Sequence, residues 1–156
     1  MKTFLKNNKT NEKMLLKQSK SKKFTAIDIE ALIKECKKSM PNFYPVVLLA
    51  VNADINLSEI LNLNIEDIDL ANQTITIKNR LINRNIAIGC DTISALKTYT
   101  KNHGIKKGVL FKNVLNKPLS DAWAINNFKK LLKLSGNTTN RIHFYDLRTY
   151  QKIYQN

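Results

Sequence analysis

Apolar and polar positions divide the chain into a polar start, a helical middle broken by one alternating stretch, and a helical end. Residues 1–23 are rich in Lys, Asn and Ser and show little periodicity, which predicts a flexible arm. One domain is expected over residues 24–156, with order beginning at Thr25. Thr25-Ala26-Ile27-Asp28 places a capping hydroxyl three residues before an acid, a helix start. Ile29, Leu32, Ile33 and Cys36 then continue at helical spacing until Pro41 stops them. A second helix is expected from Pro45, a good first-turn residue. Its run Val46-Val47-Leu48-Leu49-Ala50-Val51 is apolar on every side, the mark of a central buried helix. After a break near Ala53-Asp54, Leu57 to Leu63 continues helically.

The period then changes to two. Thr74-Ile75-Thr76-Ile77-Lys78 and Asn85-Ile86-Ala87-Ile88 alternate, predicting two strands of a small antiparallel sheet joined by a polar, basic turn from Asn79 to Arg84. Asp91 is expected to cap a helix carrying Ile93, Leu96 and Tyr99 and stopped by Gly104. Val109-Leu110-Phe111 is a short apolar run. Ser120 is expected to cap a long helix with Ile125, Phe128, Leu131 and Leu132, ended by Gly136. A last helix is expected near Asp146. The fold class is α+β, mostly helical, with a small β-hairpin.

Charge changes the picture more than composition does. Lys and Arg number 26 against 12 acids, a net of +14. Residues 1–23 carry a net of +7, residues 24–100 a net of −2, and residues 101–156 a net of +9. Basic ends around a near-neutral body form a footprint for a polyanion. Membrane-surface binding fits less well, because the arm lacks a strong apolar face. No apolar run approaches the ~20 residues that span a bilayer, and no signal peptide is evident, so a cytoplasmic chain is expected. Cys36 and Cys90 lie far apart in apolar-periodic stretches, as small buried thiols do. His103 and His143 are isolated, and there is no Gly-rich phosphate loop. Neither a metal nor another cofactor is expected.

Five segments, in order, resemble the tyrosine recombinases, the phage-integrase family. Ala53-Asp54-Ile55-Asn56-Leu57-Ser58-Glu59-Ile60-Leu61-Asn62-Leu63 is similar to that family's Thr-Gly-Leu-Arg-x-Ser-Glu-Leu-x-x-Leu segment. Ile65-Glu66-Asp67-Ile68-Asp69 resembles Trp-x-Asp-Ile-Asp. Thr74 to Ile88 resembles the family hairpin. Asn116-Lys117-Pro118-Leu119-Ser120 resembles Gly-Lys-Pro-Leu-Ser. Ile142-His143-Phe144-Tyr145-Asp146-Leu147-Arg148-Thr149 resembles Ile-Thr-Phe-His-Asp-Leu-Arg-His. The resemblance covers residues 24–156 and implies a recombinase catalytic-domain fold acting on double-stranded DNA.

The chemistry it implies is transesterification. A tyrosine attacks a DNA phosphodiester, two arginines and a lysine or histidine neutralise the developing charge, and proton donors serve the leaving oxygen. Here the first arginine position holds Asn56, which brings neither charge nor a guanidinium fork. Arg148 is the retained catalytic-position match. Tyr145 and Thr149 stand where the family has histidines. The hairpin lysine position falls on Asn79, flanked by Lys78 and Arg80, with Arg84 downstream. Lys78, Arg80, Arg84 and Arg141 are the candidate DNA contacts. Tyr150 and Tyr154 fall in the box helix, where packing aromatics are expected, and the family's following helices and nucleophile are expected to be missing. Arg148 either ties helices together or still contacts a phosphate.

The resemblance thus implies a DNA-binding recombinase relative without catalysis of its own. It is either a regulator, an accessory to an active recombinase, or a mobile-element remnant. Its protein partner would be an active recombinase or a second copy meeting an exposed C-terminal surface. One alternative is a truncated or split enzyme that takes its tyrosine from another chain, against which Asn56 weighs. Another is a basic RNA-binding helical domain, against which the scarcity of aromatics in the basic segments weighs.

Overall fold

The computed structural model describes residues 25–78, 81–137 and 142–148. The expected arm, Asn79, Arg80, Arg141, Thr149, Tyr150 and Tyr154 lie outside the described residues. Helix α1 (Ala26–Ser39) opens on a capping box. The Asp28 N–H donates to Thr25 Oγ1 at 3.3 Å, and the Thr25 N–H donates to the Asp28 carboxylate at 3.0 Å. Two of the helix's orphan donors are met in this way. Helix α2 (Tyr44–Asn52) has no side-chain cap, but Pro45 in its first turn fixes the backbone for entry. All seven residues from Pro45 to Val51 are buried, and the helix packs against α1, α3 (Leu57–Leu61) and α4 (Cys90–His103). Burying a Val or Leu side chain contributes about 1.5–3 kcal/mol, so this apolar rod anchors the core.

A 3₁₀ turn (Ile65–Asp67) leads into a three-stranded antiparallel sheet, β1 (Ile68–Asp69), β2 (Thr74–Ile77) and β3 (Arg84–Ala87), in the order β1-β2-β3. In β2, Ile75 and Ile77 face the core while Thr76 faces outward, where its hydroxyl donates to Asn85 Oδ1 at 2.8 Å. Such a cross-strand pair fixes the register Thr76↔Asn85. The two expected strands are present. The short β1 was not expected, because two residues are too few to show an alternation. The run Val109-Leu110-Phe111 lies along the segment after α3, with the Leu110 N–H donating to the Leu63 carbonyl at 2.9 Å.

Helix α4 ends at Gly104, whose φ of 61° is the left-handed conformation that glycine adopts without strain. Its N-cap is Gly89 and not Asp91. The helix begins at Cys90, which puts Asp91 inside the first turn, where its charge favours the positive end of the helix dipole. Cys90 is exposed, contrary to expectation, whereas Cys36 is buried and its thiol is pushed up to about 12 by that burial. Helix α5 (Asp121–Leu134) opens on Ser120, whose hydroxyl accepts the Trp123 N–H at 3.1 Å, and packs against α1 and α3.

Residues 145–148 form a last helical turn. Phe144, just before it, meets Phe128 of α5 edge-on at 5.6 Å and Phe43 at 6.2 Å, while Phe43 meets Trp123 at 5.5 Å. These aromatic contacts and the fully buried Leu147 pin the turn to α5 and to the corner between α1 and α2. Among the described residues no helix is long and apolar enough to cross a membrane.

Candidate functional site

The break between α2 and α3 creates the site. Ala53 leaves the helix in extended conformation, and the chain re-enters helix at Leu57 with Asn56 as its N-cap. Asn56 Oδ1 accepts the Glu59 N–H at 2.8 Å, and the Asn56 N–H donates to Glu59 Oε2 at 3.0 Å. Asn-x-x-Glu is thus a capping box, and the carbonyl of the Asn56 side chain is engaged with the backbone. The 145–148 turn opens similarly, with the His143 N–H donating to Asp146 Oδ2 at 2.8 Å.

Glu59 is the hub of the surrounding charges. Arg84, at the start of β3, grips it through both terminal nitrogens, Nη1 to Oε1 and Nη2 to Oε2, each at 2.9 Å. Nη2 also donates to the Asp54 carbonyl at 2.9 Å. This fork ties the hairpin to the α2–α3 break. Burial alone would push the Glu59 carboxyl up. The hydrogen bonds from Arg84 and from the Asn56 backbone, with the charges of Arg84 and Arg148, outweigh burial and hold it below the ordinary carboxylate range. The same pairing raises Arg84 above its ordinary value. Arg148, on the 145–148 turn, donates through Nε to Asp54 Oδ1 at 3.0 Å. Its side chain is 24% exposed and that of Asp54 is 51% exposed.

A hollow of about 230 Å³ lies beside this cluster, lined in part by Ile55, Asn56, Ile125, Phe128, Tyr145 and Arg148. The structure therefore brings together three positions that the sequence singled out: Asn56, Tyr145 and Arg148. Tyr145 is largely exposed, and Ile125, expected on the buried stripe of α5, is half exposed at the rim. Arg84 joins the group through Glu59 and Asp54. Lys78 does not line the hollow. It sits 3.1 Å from the buried carboxylate of Asp67, whose other oxygen accepts the Asn64 N–H at 3.0 Å.

Chemically, the cluster contains two guanidinium groups, each facing a carboxylate. No group of His, Cys, Asp and Glu that could hold a metal occurs among the described residues. Sequence reasoning missed Asp54 and Glu59 as the partners of the two arginines. The capping box was visible as Asn-x-x-Glu, but the long-range ion pairs left no local signal.

Residues 22–153 match the family model described as the Phage integrase family. The fold is similar to that of the XerA recombinase, with a TM-score of 0.73, 18% sequence identity, and coverage of 82% of this chain and 47% of that one. It is similar to the XerH site-specific recombinase bound to difH substrate (TM-score 0.74, 20% identity, 85% of this chain and 43% of that one). It is also similar to the Tn1549 transposon integrase in complex with circular intermediate DNA (TM-score 0.70, 15% identity, 84% and 51%). The chain thus spans about half the length of these proteins. No curated protein sequence matches it.

Proposed function

The chain belongs to the phage integrase family, and on that premise we propose that it binds double-stranded DNA by charge and performs no strand cleavage at the site around Arg148. The observation that carries the binding is the charge distribution on a recombinase fold, a net of +7 over residues 1–23 and +9 over residues 101–156. DNA is also the ligand of the similar XerH and Tn1549 integrase complexes. Lysines over both ends, together with Lys78, Arg80 and Arg141, supply the phosphate contacts. Arg84, with both terminal nitrogens on Glu59, serves mainly to hold the hairpin in place.

Asn56 supports the absence of cleavage. At the position where the resemblance expects an arginine, its side chain caps α3 and brings no charge to a phosphorane. Tyr145 stands where a histidine is expected, so a phenol replaces the imidazole that would serve the leaving oxygen. A partner chain supplying a nucleophile would have to supply a cation at position 56 as well. A cytoplasmic setting and a mobile-element context accord with this reading, the Tn1549 integrase being a transposon protein.

The test is a gel-shift titration of duplex DNA across salt. With six or more phosphates contacted, affinity falls by about 10³ or more between 50 and 200 mM salt. Salt-independent binding, or none at low salt, refutes the proposal. Preference for a single-stranded RNA competitor favours the RNA-binding alternative.

A further inference from the structure

We infer that Asp54 is an internal anion filling the place of a DNA phosphate at Arg148, and that this side chain decides whether the hollow accepts an anion. The inference rests on the DNA-binding reading above and deepens it.

The argument starts from two positions. In the segment that Ala53 to Leu63 resembles, glycine stands where this chain has Asp54 and arginine where it has Asn56. One exchange adds a negative charge and the other removes a positive one, so the neighbourhood of Arg148 is two units more negative than the motif implies. The geometry shows where the added charge goes. Asp54 Oδ1 lies 3.0 Å from Arg148 Nε, the distance of a charge-assisted hydrogen bond. A carboxylate and a phosphate oxygen are chemically alike to a guanidinium, so Asp54 makes the contact a phosphate would make.

The backbone around Asp54 is held independently of its carboxylate. Arg84 grips the Asp54 carbonyl, and the Ala53 N–H bonds the Leu49 carbonyl at 3.0 Å. The carboxylate is therefore presented at a fixed place, half exposed, beside the hollow that Asn56, Tyr145 and Arg148 line. A second anion approaching Arg148 would meet a like charge already seated there. Glu59 also feels the charge of Arg148, but its oxygens are occupied by Arg84 and the Asn56 N–H. Removing Asp54's charge alone should therefore open Arg148 to an external anion while leaving the Glu59–Arg84 tie in place.

Two readouts test this on the full chain. In the first, inorganic phosphate is titrated while the Arg148 Nε–H resonance is followed by NMR. Phosphate should move that resonance in Asp54→Asn and Asp54→Gly but not in the parent chain, with unchanged melting curves showing that both variants fold. An equal response in the parent chain overturns the inference, and so does no response in either folded variant. In the second, duplex DNA affinity is measured in a cycle of Asp54→Asn and Arg148→Ala. Asp54→Asn should tighten binding by about tenfold, the scale of one charge-assisted hydrogen bond, and the gain should vanish when Arg148 is also removed. A gain that persists without Arg148 is a general charge effect and overturns the inference. If no chain binds DNA but phosphate moves the resonance only in the Asp54 variants, the inference stands and the DNA-binding reading fails.

Discussion

Replacing Glu59 with glutamine probes the joint between hairpin and helix with the least change in shape. In the parent chain its carboxylate accepts three hydrogen bonds, two from Arg84 at 2.9 Å and one from the Asn56 N–H at 3.0 Å. The glutamine oxygen can keep part of this set, but its NH₂ would face donors on Arg84 or Asn56. Hydrogen bonds to charged groups contribute about 1.5–3 kcal/mol each, and the partly exposed Arg84 loses some of that to solvent screening, so the net cost at neutral pH is about 2 kcal/mol. For a chain of this length that corresponds to a fall in Tm of roughly 4–8 °C. Because the folded carboxyl titrates below the ordinary glutamate value of 4.5, its stabilisation is complete above that value and is lost as the pH falls through the lowered one. Protonated Glu59 resembles glutamine, so the gap between parent and Glu59→Gln should close on acidification. Urea denaturation followed by circular dichroism at about pH 7 and about pH 3 measures it. A gap that is the same at both pH values, or below about 0.5 kcal/mol at neutral pH, refutes the assignment of Glu59 as the hub.

Deleting residues 1–23 removes eight lysines and one glutamate and should weaken duplex binding and flatten its salt dependence. Thermal melting of the shortened chain should stay within a few degrees of the full one, and a large fall would show that these residues are needed by the fold. This polypeptide alone should form no covalent adduct with a nicked suicide substrate on denaturing electrophoresis. A band that Tyr150→Phe or Tyr154→Phe abolishes would contradict that, and would identify the attacking residue. Thiol labelling of the native protein at pH 8 should modify the exposed Cys90 and spare Cys36, which is buried with its thiol pushed up to about 12. Equal labelling rates would show that the core around Cys36 opens readily.

Where local chemistry determines structure, the sequence was legible. Thr25 and Asp28 announced α1, Pro45 and the apolar run after it announced α2, and Ser120 and Gly104 marked helix ends that the structure contains. Alternation located β2 and β3 within a residue or so. Asp91 misled because acids serve both as caps and as first-turn residues, and a shift of two positions separates the roles. At the site, the family resemblance identified Asn56, Tyr145 and Arg148, and the fold brings all three to one hollow. What they touch was not legible. Arg84 lies 25 residues from Glu59, and Arg148 lies 94 residues from Asp54. Such pairs follow from how α2, the hairpin and α5 pack, and no window of sequence encodes that.

The apolar circumference of α2 has a consequence for how the molecule opens. A helix with a polar face can remain as a local element in water when its neighbours detach, but Pro45 to Val51 offer water no such face. Lifting away α1 or α4 would bare aliphatic surface on the rod between them, so each separation destabilises the next. The two flanks of the protein are thereby coupled into a single unfolding unit, and partial opening at one edge is suppressed by the helix at the centre.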